Sequence, residues 1–220
     1  ENGRVVGLTA KQGEDHVTVK AKVVVGADGA FSKVREALEI PADLHLYPQG
    51  YLIALLDAAT PLGEAKYFVG KRTILGMFPA AGDKVYVFYM IKAGSYESVK
   101  ERGIATLQKS WIAIDPSSEA IFRTLMDWKQ TAFMPTGRVR TPTWVADGAV
   151  LIGDAAHAMN PHASQGRMQA MVDAMTLADL LPECLATSEY SAEKLRTYET
   201  LRRPQVTMLQ KLADEQVLFW

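Results

Sequence analysis

The stretch that most limits what this chain can become runs from Gly148 to Gly166, Gly-Ala-Val-Leu-Ile-Gly-Asp-Ala-Ala-His-Ala-Met-Asn-Pro-His-Ala-Ser-Gln-Gly. Val150 to Ile152 is a short, continuous apolar run, the pattern of a strand covered on both faces inside a parallel sheet. It stops at Gly153-Asp154, where small residues let the backbone turn closely. A loop containing Asn160-Pro161 follows. From about Ser164, apolar residues return at Met168, Met171, Val172, Met175 and Ala178, a helical spacing. Strand, acidic turn, proline loop and helix N-terminus make an α/β order. In such sheets ligands bind outside the carboxyl ends of the strands, and helix N-termini attract negative charge. One carboxylate, Asp154, stands at that crevice, able to accept hydrogen bonds from the hydroxyls of a sugar or sugar alcohol.

Earlier in the chain, Val23-Val24-Val25 reads as a second strand buried in the same way, ended by Asp28-Gly29, with Ser32 placed to cap a short helix from Lys33 to Leu38. These two stretches carry a family resemblance. Gly153-Asp154-Ala155-Ala156-His157, a proline at 161 and Gln165-Gly166 opening a helix resemble the second flavin-binding motif of the FAD-dependent aromatic hydroxylases, the para-hydroxybenzoate hydroxylase-like class A flavoprotein monooxygenases. Val24 to Arg35 is similar to the Asp-Gly motif of that family. The two occur in the family's order and with about its separation, whereas the middle of the chain carries no diagnostic motif.

The resemblance implies FAD as cofactor, NAD(P)H and O₂ as co-substrates, and hydroxylation of an aromatic or similarly electron-rich small molecule. It sets Asp154, with Gly153, against the ribityl hydroxyls of FAD. It sets Pro161 and the backbone of Ser164, Gln165, Gly166, Arg167 and Met168 beside the isoalloxazine ring. Reduced flavin carries negative charge near N1 and the C2 carbonyl. Free N–H groups of a helix N-terminus stabilise such charge by roughly 0.3–1 kcal/mol, and by up to about 2 when partly buried. The same resemblance places Asp28 near the diphosphate–ribityl side and gives Arg35 a part in binding the nicotinamide cofactor. It assigns no acid or base to the protein, because the cofactor carries the hard chemistry. Two departures stand out: the family usually has glycine where Ala163 and Ser164 stand, and asparagine where Met168 stands. The backbone N–H groups survive both changes.

Each of these residues also has a plainer reading. Asp154 and Asp28 could cap turns, Arg35 could be a solvated helix arginine, and Met171 and Met175 read best as the core stripe of their helix. His157 and His162 with Asp154 lack the spacing of a metal site, so no metal is expected and His157 reads as a loop-ordering residue. No G-x-S-x-G elbow occurs and Cys184 has no evident histidine partner, which removes support for hydrolase chemistry. Arg138 and Arg140 could approach an acidic ligand or face solvent.

The remaining residues set the frame. Arg4 to Thr9 and His16 to Lys20 form a hairpin pattern around Gln12-Gly13-Glu14-Asp15. Tyr51 to Leu56, Ala65 to Val69, Thr73 to Phe78 and Val85 to Ile91 succeed one another without helices, which predicts an antiparallel sheet. Two helices are expected next, Tyr96 to Ala113 and one starting at Asp115-Pro116 and reaching Trp128. Ala132 to Val139 leads back. Leu181-Pro182-Glu183 interrupts the helix after the main motif, and a last helix runs from about Ala192 to Trp220 with Pro204 inside it. The fold expected is therefore α/β, α+β overall: a Rossmann-like FAD-binding domain in two parts, residues 1–40 and 141–220, with an inserted antiparallel substrate lobe, residues 41–140, and C-terminal helices. The resemblance implies that the sheet of this lobe covers the flavin ring.

Among 220 residues, 48% are hydrophobic and 22% charged, with a net charge of -1. That balance gives no reason to expect nucleic acid or an anionic membrane as partner, and no apolar run approaches the roughly 20 residues of a membrane span. One cysteine excludes an internal disulfide and agrees with a cytoplasmic setting. The G-x-G-x-x-G turn that holds the FAD pyrophosphate in this family does not occur, so a missing N-terminal segment is an expected partner. A flavin-dependent reductase or oxidase of the same superfamily, or a non-catalytic fragment binding a ligand or partner, stays open beside the hydroxylase reading.

Overall fold

The computed structural model describes residues 1–216. They divide into two compact units, one of residues 1–45 with 137 onward and one of residues 46–136, against cuts after 40 and 140 in the sequence reading. Mixed α/β architecture is observed throughout.

The first unit is built on a three-stranded sheet in the order β3 (Val24–Gly26), β10 (Ala149–Leu151), β9 (Val145–Ala146). β10 is parallel to β3, with Leu151 opposite Gly26, and antiparallel to β9. All three residues of β10 are fully buried, as its apolar run requires. β3 departs from the sequence reading: Val25 is 41% exposed. Val24 and Gly26 point to the covered face and the alternating Val25 to the opposite one, which the described residues leave open; which face is covered is not revealed by composition. A separate antiparallel hairpin pairs β1 (Gly7–Gln12) with β2 (Asp15–Lys20).

Around the sheet lie α1 (Lys33–Ala37), α5 (Asp154–His157), α6 (Gly166–Thr187) and α7 (Ala192–Gln216). Their core joins Trp144, Val150, Leu151, Leu177, Tyr198 and Val206. α6 runs straight through Pro182, where an interruption was expected. An internal proline forfeits one backbone bond, but Leu180 and Cys184 on either side are buried in the core and hold the helix on its path. α7 likewise continues over Pro204. The expected helical end at Leu218-Phe219-Trp220 lies outside the described residues.

The second unit carries the five-stranded sheet β5 (Lys66–Gly70), β6 (Thr73–Ala80), β7 (Lys84–Lys92), β4 (Asp43–Asp57), β8 (Thr131–Arg140), in that order, antiparallel from β5 through β4. Strand alternation gives it two faces. Leu52, Ala54, Leu56, Leu75, Met77, Val85 and Val87 point to helices α2 (Tyr96–Glu101), α3 (Ile104–Ile114) and α4 (Glu119–Phe122) and pack around Trp111 and Phe122. The opposite face is aromatic and built from strand residues: Tyr51, Ile74, Phe88 and Met90, flanked by Ile53, Tyr86 and Met134. The Phe88 ring fills the space over Gly76, where a Cβ would fall 1.8 Å from it. Phe78 stacks on that ring at 5.4 Å, and Tyr51 meets it edge-on at 5.5 Å.

Two helical expectations change here. The helix expected over 96–113 is split, because Gly103 takes φ +85° between α2 and α3. The helix expected from Asp115 to Trp128 is capped by Asp115 as read, but it is a 3₁₀ turn, Pro116–Ser118, followed by the four residues of α4. Gln108 captures the carbonyls of Phe122 and Leu125 at 3.2 and 3.0 Å, and the Met126 N–H turns to Gln130 Oε1 at 2.7 Å. The bonds that would have extended the helix are thereby taken by side chains.

Candidate functional site

Two residues past β10 the chain turns at Gly153, which adopts φ 55° and ψ -140°, a conformation natural only to glycine. A Cβ there would also stand 3.0 Å from Ala170 Cβ on α6. Asp154 follows as the first residue of α5. Among the described residues its carboxylate accepts no hydrogen bond, and its outer side is open. The surrounding mass still desolvates it: burial pushes its pKa up, and the nearby His157 only partly offsets this. A carboxylate crowded by protein on one side, exposed on the other and without protein donors keeps its lone pairs for solvent or for a ligand bearing hydroxyls.

The loop beyond α5 brings a second set of unmet groups to the same rim. Asn160 is buried; its Oδ1 accepts from the His162 N–H at 3.0 Å and caps the 3₁₀ turn Pro161–Ala163, while its Nδ2 has no partner among the described residues. Ser164 ends that turn in the left-handed region, φ 53°, which favours the glycine the family usually carries. α6 then starts at Gly166 with no side-chain cap. Among the described residues the first-turn N–H groups, at Gly166, Arg167 and Met168, have no side-chain acceptor at the positive end of a 22-residue helix. A Cβ on Gly166 would lie 3.8 Å from Asp154 Oδ1, so the bare carboxylate and the bare helix terminus adjoin.

The other sequence motif is arranged differently. Asp28, past the end of β3, accepts from Ser32 Oγ and from the Lys33 and Val34 N–H groups at 2.7 and 3.0 Å. Burial would raise its pKa, but these donors outweigh it and hold the carboxylate below its ordinary value. Ser32 caps α1 by accepting from the Arg35 N–H at 2.9 Å, as read from the sequence. Arg35 is not the solvated arginine of the plainer reading: it is buried, and it donates to the carbonyls of Ala155 at 2.7 Å and Ala30 at 2.8 Å, tying the two turns together. Arg138 and Arg140 both pair with Asp214.

The methionine stripe needs correction. Met168, Met171 and Met175 are 53%, 56% and 68% exposed; the buried stripe of α6 is instead Gln169, Asp173, Leu177, Leu180 and Cys184. Asp173, which the sequence reading passed over, sets this rotation. Fully buried, it accepts from the Gly153 N–H at 2.9 Å, from His157 Nε2 at 2.7 Å and from Arg202 Nε on α7 at 2.8 Å. Arg202 also donates to Gln169 Oε1 at 2.7 Å. The signal was present: Gln169, Asp173 and Leu177 repeat every four residues, and an acidic residue in a buried stripe requires partners. His157 orders the loop, as read.

A carboxylate without protein donors, an uncapped helix terminus beside it and a buried Asn160 Nδ2 in the connecting loop thus lie together past the carboxyl end of a parallel strand, the place where open α/β sheets bind ligands. The chain belongs to the FAD binding domain family, whose model matches residues 2–213. It is 30% identical over 207 residues to 6-methylpretetramide 4-monooxygenase of Streptomyces rimosus, covering 93% of this chain and 49% of the relative. It is 29% identical over 223 residues to a kynurenine 3-monooxygenase of Salinispora arenicola, covering 94% and 48%. In fold it matches PqsL, a probable FAD-dependent monooxygenase from Pseudomonas aeruginosa, with a TM-score of 0.77 at 22% identity over 90% of this chain and 56% of that one. The chain thus spans about half the length of the curated relatives it matches. Among the described residues no helix is long and apolar enough to cross a membrane.

Proposed function

We propose that this chain forms the flavin-holding part of an FAD-dependent monooxygenase that hydroxylates an aromatic or similarly electron-rich small molecule with NAD(P)H and O₂. The observation that carries the reading is the pairing of the unpartnered Asp154 carboxylate with the uncapped start of α6. In this reading Asp154, presented by Gly153, accepts hydrogen bonds from the ribityl hydroxyls. Pro161 and Ser164 shape the approach, and the N–H groups after Gln165, at Gly166, Arg167 and Met168, face the N1–C2 edge of the ring. Bound FAD supplies redox chemistry with NAD(P)H and O₂; the residues around it bind, orient and exclude water. Asp28 and Arg35 act on the diphosphate–ribityl side by holding α1 and the Ala155 carbonyl in place, with a nicotinamide contact falling to what Arg35 leaves free.

The aromatic sheet face of the second unit, with Tyr51, Tyr67, Phe78 and Phe88, supports an aromatic substrate, since ring faces and edges pack favourably against one another. A strand–glycine-rich turn–helix segment supplied by further polypeptide completes the proposal. It would meet the open β3 edge at Val25 and the bare methionines of α6, an apolar surface that a folded domain ordinarily covers. A cytoplasmic setting, where NAD(P)H is available, belongs to the same reading. The test combines the chain with such a segment, FAD, NAD(P)H and a phenol or aniline panel under ¹⁸O₂. One ¹⁸O atom in a ring hydroxyl is the expected product. NAD(P)H consumption with an ¹⁸O-free, reduced product would instead assign a reductase.

A further inference from the structure

We propose that Asp173 is a positioning residue for the flavin turn, a buried clamp that holds Gly153, and through it Asp154, at the height the ribityl chain requires; this rests on the flavin reading above. Asp173 sits twenty residues beyond Gly153, in the second turn of α6, and touches no open surface. Its two oxygens divide the work. Oδ2 accepts from the Gly153 N–H and from His157 Nε2, the first residue before α5 and the last residue within it. Oδ1 accepts from Arg202 Nε on α7. Four residues of α5 are too few to hold their own direction, so the direction of Asp154 is set from outside: Asp173 grips both ends, while Arg35 and Thr141 donate to the carbonyls of Ala155 and Ala156 between them. The same carboxylate stands on the helix whose N-terminus faces the ligand, so the two halves of the proposed flavin contact share one anchor.

The chemistry explains why a charge is placed there. Gly153 has to keep φ 55° and ψ -140°, and an unpaired N–H at that turn would be buried. A carboxylate satisfies it together with the imidazole, and Arg202 compensates the charge; Arg202 is itself held by Gln169 and by Gln205, each at 2.7 Å. Burial acts to raise the pKa of Asp173, and the donors from His157, Gly153 and Arg202 more than reverse it, which keeps the anion in place as acceptor. An amide could not do the same: the Asp173→Asn side chain would offer one acceptor oxygen to three donors and turn its own NH₂ toward one of them.

The experiment compares the 220-residue chain with its Asp173→Asn, Asp154→Asn and Leu180→Ala variants by hydrogen–deuterium exchange and by FAD titration. For Asp173→Asn, exchange across residues 153–157 is expected to accelerate about tenfold, with no change across residues 46–136. FAD affinity is expected to fall about tenfold, roughly 1.4 kcal/mol. Asp154→Asn should weaken FAD without loosening residues 153–157. Leu180→Ala, a core truncation, should lower stability while leaving both readouts in place, which a merely structural role for Asp173 would not distinguish. Unchanged exchange at 153–157 in Asp173→Asn overturns the clamp whether or not flavin binds. Loosened exchange with unchanged FAD affinity overturns its positioning role. A folded wild-type chain that takes up no FAD even with the glycine-rich segment added overturns the flavin reading and the positioning role with it, while the exchange arm still decides the clamp. Should Asp173→Asn fail to fold, Arg202→Lys, which keeps the charge and loses the planar fork, is expected to move both readouts in the same direction, and no movement in either overturns the proposal.

Discussion

Two aspartates follow the carboxyl ends of neighbouring parallel strands, and they have opposite fates. Asp28, after β3, is surrounded by donors: a serine hydroxyl and two backbone N–H groups from the start of α1. Asp154, after β10, has none among the described residues. The consequence is visible in their acidity, with Asp28 held below its ordinary value and Asp154 pushed above it by burial. Topology gives both residues the place where α/β sheets bind ligands. The difference teaches that place alone does not make a site. Asp28 spends its lone pairs on its own helix, whereas those of Asp154 stay open to solvent or a ligand.

The strongest way to break this contrast is to remove the residue that couples the two turns. Arg35→Met would leave the Ala155 and Ala30 carbonyls without their donor, and denaturant unfolding should register a loss of about 3 kcal/mol. Asp28→Ala tests the architectural half alone. It takes the acceptor from the Lys33 and Val34 N–H groups and should cost about 2 kcal/mol of stability, while FAD affinity falls less than in Asp154→Ala. Because the folded pKa of Asp28 is lowered, the stability it contributes is present above the ordinary carboxylate range and fades as the pH falls through the lowered value.

The smallest effect has the opposite sign. The folded pKa of Asp154 is raised, so its charge opposes folding at neutral pH and ceases to do so once acid protonates it. Asp154→Asn should therefore melt slightly above the wild type at neutral pH, and the gain should vanish below the ordinary carboxylate range. A thermal melt series that shows a loss at neutral pH would return Asp154 to the architectural class.

How much of this could be read in the chain differs by residue. The turn at Gly153-Asp154 and the Ser32 cap were legible because local chemistry dictates them: glycine for the turn, a hydroxyl for the first free N–H groups. The burial of β10 was legible in its unbroken apolar run. Val25 has the same run and is exposed, because a strand's neighbours are not written in the strand. The methionines of α6 mimic a core stripe, yet the helix rolls the other way, since the Asp173 carboxylate and the Arg202 guanidinium are unstable in the interior except together. Gly103 splits one helix and Pro182 fails to split another. Each reflects tertiary burial overruling, or missing from, a local preference.

The contrast rests finally on whether the bare carboxylate faces flavin. Titrating FAD into the folded 220-residue chain and its Asp154→Ala variant, followed by flavin fluorescence quenching, measures this directly. Binding by the wild type, weakened about tenfold or more in Asp154→Ala with no loss of stability, is the result expected when charge-assisted hydrogen bonds to the ligand are removed. Equal FAD affinity in the two chains, or none in a folded wild type even with the glycine-rich segment added, would contradict the assignment of Asp154 to the cofactor.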